Sequence, residues 1–544
     1  MGPSKGLKPG QGFEVKEFYK PQDVAEINYL RDMGDPGQPP FLRGIHPTMY
    51  RGKLWTRRQQ MQWGLPQEIN RQFKYLIEQG GTGLSFYRDL PTILGLDPDH
   101  PRSLGEVGRV GMSTFSFDAM DIATEGIPLD KVSFNILNAS ITSIVLLAQY
   151  LTVAEKRGIK PSQLRGTLTH DSTLGYFIYA KETNPLDLGI KIDTDIVEYC
   201  SKEMPLWNTM YVGIFYNLRE AGALTAPQEV AFGFATAKEY IRAALERGLD
   251  IDRFAPRSSV YCQAGIDFLE EAAKMRAMRR MWARMMMDEF KAKNPRSWQL
   301  KIGVQTAGSQ LYAQQPLNNI IRISYQFLSA VLGGAQSITC CTFVEPICLP
   351  TDEASKSALR CQQILAYETS LPLVADPLGG SYYIEDLTNA IEDEAKKIMD
   401  EIEGMGGWLE AIKRGWVESK LEEGAYHNQE EIEKKERLLV GVNIFQSPPE
   451  EDILPGGLQR LPSSTEPEAI AHLKHFKKNR DKEKLKGALN RLYDKVKARR
   501  DNLVPPTIEA VKSRATLEEI MGTIRKAWGY EADPYNARDA SSIL

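Results

Sequence analysis

Between residues 83 and 383, short apolar or alternating runs take turns with longer stretches whose apolar residues recur every three or four positions. The short runs at 83–87, 132–137, 166–169, 208–215, 258–262, 299–305, 336–343 and 371–375 predict strands. The longer stretches, such as 141–156, 227–247 and 266–290, predict helices. Strand and helix in strict alternation imply parallel βαβ units, and eight strands is the number that closes a (β/α)8 TIM barrel. A doubly wound open sheet is the alternative that the pattern leaves open. Met275, Met278, Trp282 and Met285 stand at helical spacing and predict a core stripe.

Several predicted strands carry small or polar residues where a filled barrel prefers Val, Ile or Leu: Ser133 and Asn135, Thr167 and Thr169, Gly303 and Gln305, Thr339 and Cys341. An interior lined this way admits a long, partly polar ligand; the plainer reading puts these residues at strand ends on an active-site rim. The flanks have a different texture. Residues 1–40, rich in Gly, Pro and charge, read as an extended arm, and 41–420 as the barrel. Residues 421–544 read as a helical C-terminal extension with solvated charged faces, including a Thr516-x-x-Glu519 capping box.

Composition narrows the function classes. A net charge of −4 over 544 residues gives no electrostatic footprint for nucleic acid or an anionic membrane. No apolar run approaches the roughly 20 residues of a membrane helix, and residues 1–12 lack the apolar core of a signal peptide, so the expected location is the cytoplasm. The six cysteines include adjacent Cys340 and Cys341 but no C-x-x-C pair, which favours buried reduced thiols. The six histidines are too scattered for a metal site, and no P-loop, dinucleotide fingerprint or G-x-S-x-G elbow is present. A chain with so little acid, base or nucleophile equipment suits chemistry supplied by an external cofactor.

From residue 46 a series of blocks follows: His46-Pro47-Thr48-Met49-Tyr50, Leu54-Trp55-Thr56-Arg57-Arg58-Gln59, Asp99-His100-Pro101-Arg102, Glu220-Ala221-Gly222-Ala223, Phe254-Ala255-Pro256-Arg257, Asn318-Asn319-Ile320-Ile321-Arg322 and Asp376-Pro377-Leu378-Gly379-Gly380. In this order they resemble the methylmalonyl-CoA mutase family, and the resemblance is read from them. It covers roughly 41–415 and implies a (β/α)8 barrel with the coenzyme A chain along its axis. By motif position, the implied CoA contacts are His46, Thr48, Met49, Lys53, Thr56 and Arg58 near the start, then Ser85, Ser133, Thr167 and Asn208. Arg257, Ser259, Gln305 and Gln336 complete them. Lys53, Arg58 and Arg257 make physical sense as partners for CoA phosphates. The cofactor implied is adenosylcobalamin, whose Co–C homolysis starts a radical rearrangement of the acyl skeleton. Glu345 matches the position that holds the cofactor's ribose, and Glu220 and Gly308 match positions facing the corrin.

The family's cobalt-ligating D-x-H-x-x-G is absent, since no histidine here has Asp two residues before it. The expectation is therefore a large, substrate-binding subunit without a cobalamin domain. Its partner would be a small cobalamin-binding subunit carrying that motif, in a heterotetramer of two large and two small subunits.

The acyl end departs from the family. Gln60 stands where methylmalonyl mutases have Tyr, Tyr179 where they have the Arg for the free carboxylate, and Thr169 in place of Gln. A malonyl-type substrate would then bury an unpaired charge, so a non-dicarboxylic acyl-CoA (branched, hydroxylated or bulky) is expected. Asn217 takes the place of the histidine that donates to the thioester carbonyl, with Tyr216 beside it as a substitute donor. The catalytic candidates are thus Gln60, Tyr179, Tyr216, Asn217 and Thr169. The alternatives are a catalytically altered or inactive acyl-CoA-binding scaffold subunit and a radical lyase.

Overall fold

The computed structural model describes residues 15–59, 62–448, 452, 454 and 457–539. Its α/β fold holds nine strands among the described residues: β1 (Thr56–Gln59), β2 (Gly83–Phe86), β3 (Ser133–Leu137), β4 (Gly166–Thr169), β5 (Trp207–Asn208), β6 (Tyr211–Val212), β7 (Ser259–Ala264), β8 (Lys301–Thr306) and β9 (Ser337–Cys340). They form a five-stranded sheet, β1-β9-β8-β7-β6, and a four-stranded sheet, β2-β3-β4-β5. Pairing is parallel from β2 through β5, from β7 through β9, and between β1 and β9.

The chain separates into two compact units. One comprises Met1–Gln60, Val212–Arg242 and Ser258–Leu458, and the other Met61–Tyr211, Ala243–Arg257 and Gln459–Leu544.

In the first unit the sheet has two unlike faces, because alternate residues of a strand point to opposite sides. Val260, Cys262 and Ala264 of β7, Ile302 and Val304 of β8, and Ile338 and Cys340 of β9 make the apolar set and are buried. The other set is Ser259, Tyr261 and Gln263, then Gly303 and Gln305, then Ser337 and Thr339, then Thr56 and Arg58. The helix Phe268–Arg284 begins at an Asp267 cap and buries Met275, Met278 and Trp282, so the expected core stripe is present. Its arginines also hold the N-terminal stretch. Arg279 donates to the carbonyls of Phe41 (3.1 Å) and Leu42 (2.8 Å), and Arg284 pairs with Asp32 at 2.9 Å.

In the second unit the buried helix Ser143–Lys156 packs on Val504–Lys512. The predicted capping box at Thr516 and Glu519 forms. The helix it opens, Leu517–Trp528, is buried along nearly its whole length, which corrects the expectation of solvated charged faces there. Its acids are buried because cations reach them: Arg480 pairs with Glu519 at 2.6 Å and Arg538 with Glu518 at 2.9 Å.

Three strand expectations change. Residues 371–375 form a 3-10 turn, Leu371–Leu373, that leaves Leu373 and Val374 exposed; Pro372 has no N–H to give a sheet ladder. The run at 208–215 breaks, with Asn208 closing β5, Tyr211–Val212 forming β6, and Ile214 starting a helix. β1 was not expected, since Thr-Arg-Arg-Gln lacks apolar alternation. Among the described residues no helix is long and apolar enough to cross a membrane.

Candidate functional site

In the first unit, parallel pairing aligns the polar face into rows. Gln263, Gln305, Thr339 and Arg58 stand at one level, and Tyr261, Gly303, Ser337 and Thr56 at the level below. Gln305 is the hub of the upper row. It accepts from the Tyr261 hydroxyl (3.0 Å) through Oε1, and its Nε2 donates to the Tyr216 hydroxyl (2.7 Å). Tyr216 belongs to the helix Ile214–Gly222 and stacks edge-on against Tyr261 at 5.7 Å. Since its oxygen already accepts from Gln305, the Tyr216 O–H is the proton left to donate. Burial, reinforced by Glu220, holds that phenol well above its ordinary range, so it stays protonated. Asn217 follows on the same helix, half-buried.

One turn beyond Tyr216, Glu220 accepts from Gln263 Nε2 (2.5 Å) and from the backbone N–H of Ser309 (2.8 Å). A methyl group added at Gly308 would meet Cys341 Sγ at 3.6 Å, Glu220 Oε2 at 3.8 Å and Glu345 Cγ at 3.9 Å. These are ordinary contacts, so Gly308 leaves room beside two carboxylates. Burial and then the Glu220 charge push the Glu345 carboxyl up to about 7. Burial likewise raises Glu220.

The opposite strand ends carry cations. Lys301 opens β8, and His46, in the loop before β1, is kept below its ordinary pKa by burial and then by Lys301 and Lys53. Lys53 and Thr48 are exposed, while Met49 is buried. Arg58 donates to Ser337 Oγ at 3.1 Å. Gln336 spends its amide on backbone, accepting from Ile302 N (2.8 Å) and donating to Gly334 O (2.7 Å). Gln60 lies outside the described residues.

In the second unit, Ser85, Asn135, Thr167 and Asn208 form a comparable row across β2 to β5. Asn208 donates to Thr167 Oγ1 at 2.6 Å. Among the described residues, Ser85 Oγ and Asn135 Oδ1 are buried with no hydrogen-bond partner, as is Ser259 Oγ in the first unit. Orphaned polar atoms along sheet faces point to a ligand that carries hydrogen-bonding groups. Ser133 stands one level below Asn135. The Thr169 hydroxyl is engaged by the backbone, accepting from Asn138 N (2.5 Å) and donating to Ile136 O (3.3 Å). Tyr179 ends the helix Ser172–Ile178, half-buried, with its phenol pushed up to about 12 by burial. Arg257, in the turn Ala255–Arg257, accepts at its carbonyl from Thr209 N (3.1 Å).

Sequence reasoning passed over Gln263, Lys301 and the Tyr261 hydroxyl. The available signal was a glutamine interrupting Val-Tyr-Cys at the end of a predicted strand.

The profile of the family described as Methylmalonyl-CoA mutase matches residues 8–530. The chain belongs to the methylmalonyl-CoA mutase family. It is an isomerase, and the family's members are cobalamin-dependent acyl-CoA mutases. The 2-hydroxyisobutanoyl-CoA mutase large subunit of Aquincola tertiaricarbonis is 38% identical over 517 residues, 95% of this chain and 91% of that one. Methylmalonyl-CoA mutase of Rhizobium meliloti is 37% identical over 526 residues, 96% of this mutase and 73% of its own length. The mitochondrial methylmalonyl-CoA mutase of Homo sapiens is 35% identical, covering 95% and 68%.

Proposed function

We propose that this mutase is the large subunit of an adenosylcobalamin-dependent enzyme that rearranges the skeleton of a non-dicarboxylic acyl-CoA. The observation that carries the substrate class is Tyr179. Where the family resemblance expects a guanidinium for a free carboxylate, a neutral phenol stands instead, held protonated up to about pH 12. A second carboxylate placed there would lack its bidentate partner.

In this reading the fold is a (β/α)8 barrel, which accords with strands running in chain order from β2 to β5 and from β6 to β9. The arm at 1–40, the barrel at 41–420 and the helical extension at 421–544 are its divisions. CoA runs along the polar strand faces. His46, Lys53, Lys301, Arg58 and Arg257 serve its phosphates; Ser85, Ser133, Thr167, Asn208, Ser259 and Gln305 meet its amides and hydroxyls. Thr48, Met49, Thr56 and Gln336 shape the entrance.

The carboxylates beside Gly308 fit a cofactor that brings hydroxyl and amide donors, with Glu345 holding the ribose and Glu220 and Gly308 facing the corrin. When bound, adenosylcobalamin supplies the radical that starts the rearrangement. The chain's own part is to hold the thioester and exclude water. Tyr216 donates its remaining proton to the thioester carbonyl, oriented by Gln305, while Gln60, Thr169, Tyr179 and Asn217 bound the acyl group. A small cobalamin-binding subunit carrying D-x-H-x-x-G completes the enzyme, in a heterotetramer of two large and two small subunits in the cytoplasm. The 91% coverage of a relative named a large subunit supports that role.

The test combines the chain with such a small subunit and adenosylcobalamin and follows isomerisation of a panel of acyl-CoAs by mass spectrometry. Turnover of branched or hydroxylated monocarboxylic thioesters is expected. Interconversion of methylmalonyl- and succinyl-CoA as the preferred reaction overturns the substrate class. No isomerisation of any thioester, with the cofactor and both subunits bound, overturns the activity in favour of a scaffold.

A further inference from the structure

Gln263, the penultimate residue of β7, is held at three of its four polar atoms. Its backbone N–H donates to Glu229 Oε1 (2.9 Å), its carbonyl accepts from Lys274 Nζ (2.8 Å), and its side-chain Nε2 donates to Glu220 Oε1 (2.5 Å). Glu229 and Lys274 belong to a fully buried charge cluster. Lys274 reaches Glu229 at 2.6 Å and Glu271 at 2.5 Å, and Arg219 reaches Glu229 at 2.7 Å and Glu271 at 2.9 Å. Such a frame resists shifting, because any displacement leaves a charge buried without its partner.

The fourth polar atom, Gln263 Oε1, is buried and accepts no hydrogen bond from any of the described residues. Turning the amide over does not relieve it, since that would set an oxygen against the Glu220 carboxylate. The residue therefore bears the desolvation of a carbonyl oxygen without a bond in return, in a position it cannot leave. A ligand that brings a donor to this point restores the bond.

The ends of the sheet say which part of a ligand arrives there. Lys53 and Lys301 gather cationic charge around His46 at the start of β8, opposite Ser259 in the register. Phosphates at that end place the acyl group at the other, where Gln263 stands level with Gln305 beside Glu220. We propose that Gln263 determines specificity at the acyl site: Oε1 accepts from a hydroxyl on the acyl group, so the preferred substrates are hydroxyacyl-CoA thioesters. This rests on the acyl-CoA reading above and narrows it.

Calorimetric titration of the full chain, without cobalamin, tests the idea with two matched pairs: 2-hydroxyisobutyryl-CoA against isobutyryl-CoA, and 3-hydroxybutyryl-CoA against butyryl-CoA. In at least one pair the hydroxylated member should bind about tenfold tighter or better. In Gln263→Leu and Gln263→Met that ratio should fall to within about twofold of unity, while the Kd of the unsubstituted thioester moves less than about threefold. Equal binding within both pairs by the unaltered chain overturns the inference, and needs no variant to fold. A hydroxyl preference that survives both substitutions overturns it as well. Binding of all four thioesters with no preference sinks this inference alone; binding of none sinks the acyl-CoA reading with it.

Discussion

Each unit holds a charge cluster, wholly buried in the first and partly in the second, and the two are tied to different things. In the first unit, Arg219 and Lys274 face Glu229, Glu270 and Glu271, and the cluster grips Gln263, which in turn grips Glu220. In the second, Lys477 pairs with Asp97 at 2.9 Å, while Arg538 bridges Asp99 (2.7 Å) and Glu518 (2.9 Å). That cluster fastens the C-terminal helices and the segment after them to the loop ahead of His100, whose ring meets Asp533 at 3.2 Å. Both clusters hold a carboxyl up to about 8, Glu270 and Glu518 respectively, burial being the first cause. Equal chemistry thus serves two ends. One cluster stiffens a strand that carries candidate site residues, and the other closes the chain on itself.

Breaking each cluster should separate those roles. Arg219→Met leaves the buried Glu229 and Glu271 carboxylates with one lysine and should cost about 3–5 kcal/mol in denaturant unfolding. It should also weaken hydroxyacyl-CoA binding about tenfold or more, as Gln263 and Glu220 lose their frame. Lys477→Met should bring a loss of stability of the same order with acyl-CoA affinity within about twofold of the parent. If Lys477→Met weakens binding as much as Arg219→Met does, the contrast fails.

A smaller effect follows from Glu270. In the folded chain burial keeps it protonated to about 8, whereas its ordinary value is 4.5. The folded state therefore binds more protons between those values, and stability falls as pH rises through that window. Glu270→Gln should flatten the decline and gain on the order of 1 kcal/mol at about pH 8, read from denaturation midpoints across pH. Smallest of all, Arg491→Ala removes an exposed pair with Glu509 and should cost less than about 1 kcal/mol.

The sequence made the α/β class legible because β3, β4, β7, β8 and β9 carry enough Val, Ile, Leu and Cys to stand out between amphipathic helices. β1 did not stand out: Arg57 and Arg58 hide a strand inside a charged run. The apolar stretch at 371–375 misled for the opposite reason, since Leu373 and Val374 are apolar yet exposed. At the site, Glu220, Gly308 and Glu345 were reachable through motif positions, and the structure brings them together. Gln263 was not, because its meaning depends on Glu229 and Lys274, which are distant in sequence or read as ordinary charges on a helix. Glu270 and Glu271 look like a solvated helix face in one dimension and become buried only when Arg219 arrives from another helix.

Along β7, Val260, Cys262 and Ala264 are interleaved with Ser259, Tyr261 and Gln263, so two kinds of inheritance share six consecutive codons. Every second residue answers to packing and can be copied unchanged. The residues between them answer to partners on other elements, Tyr261 to Gln305 and Gln263 to Glu220, so a change at one of them is felt across the polar face while the apolar face stays as it was. A one-residue insertion in the same strand would exchange the two sets and forfeit both at once.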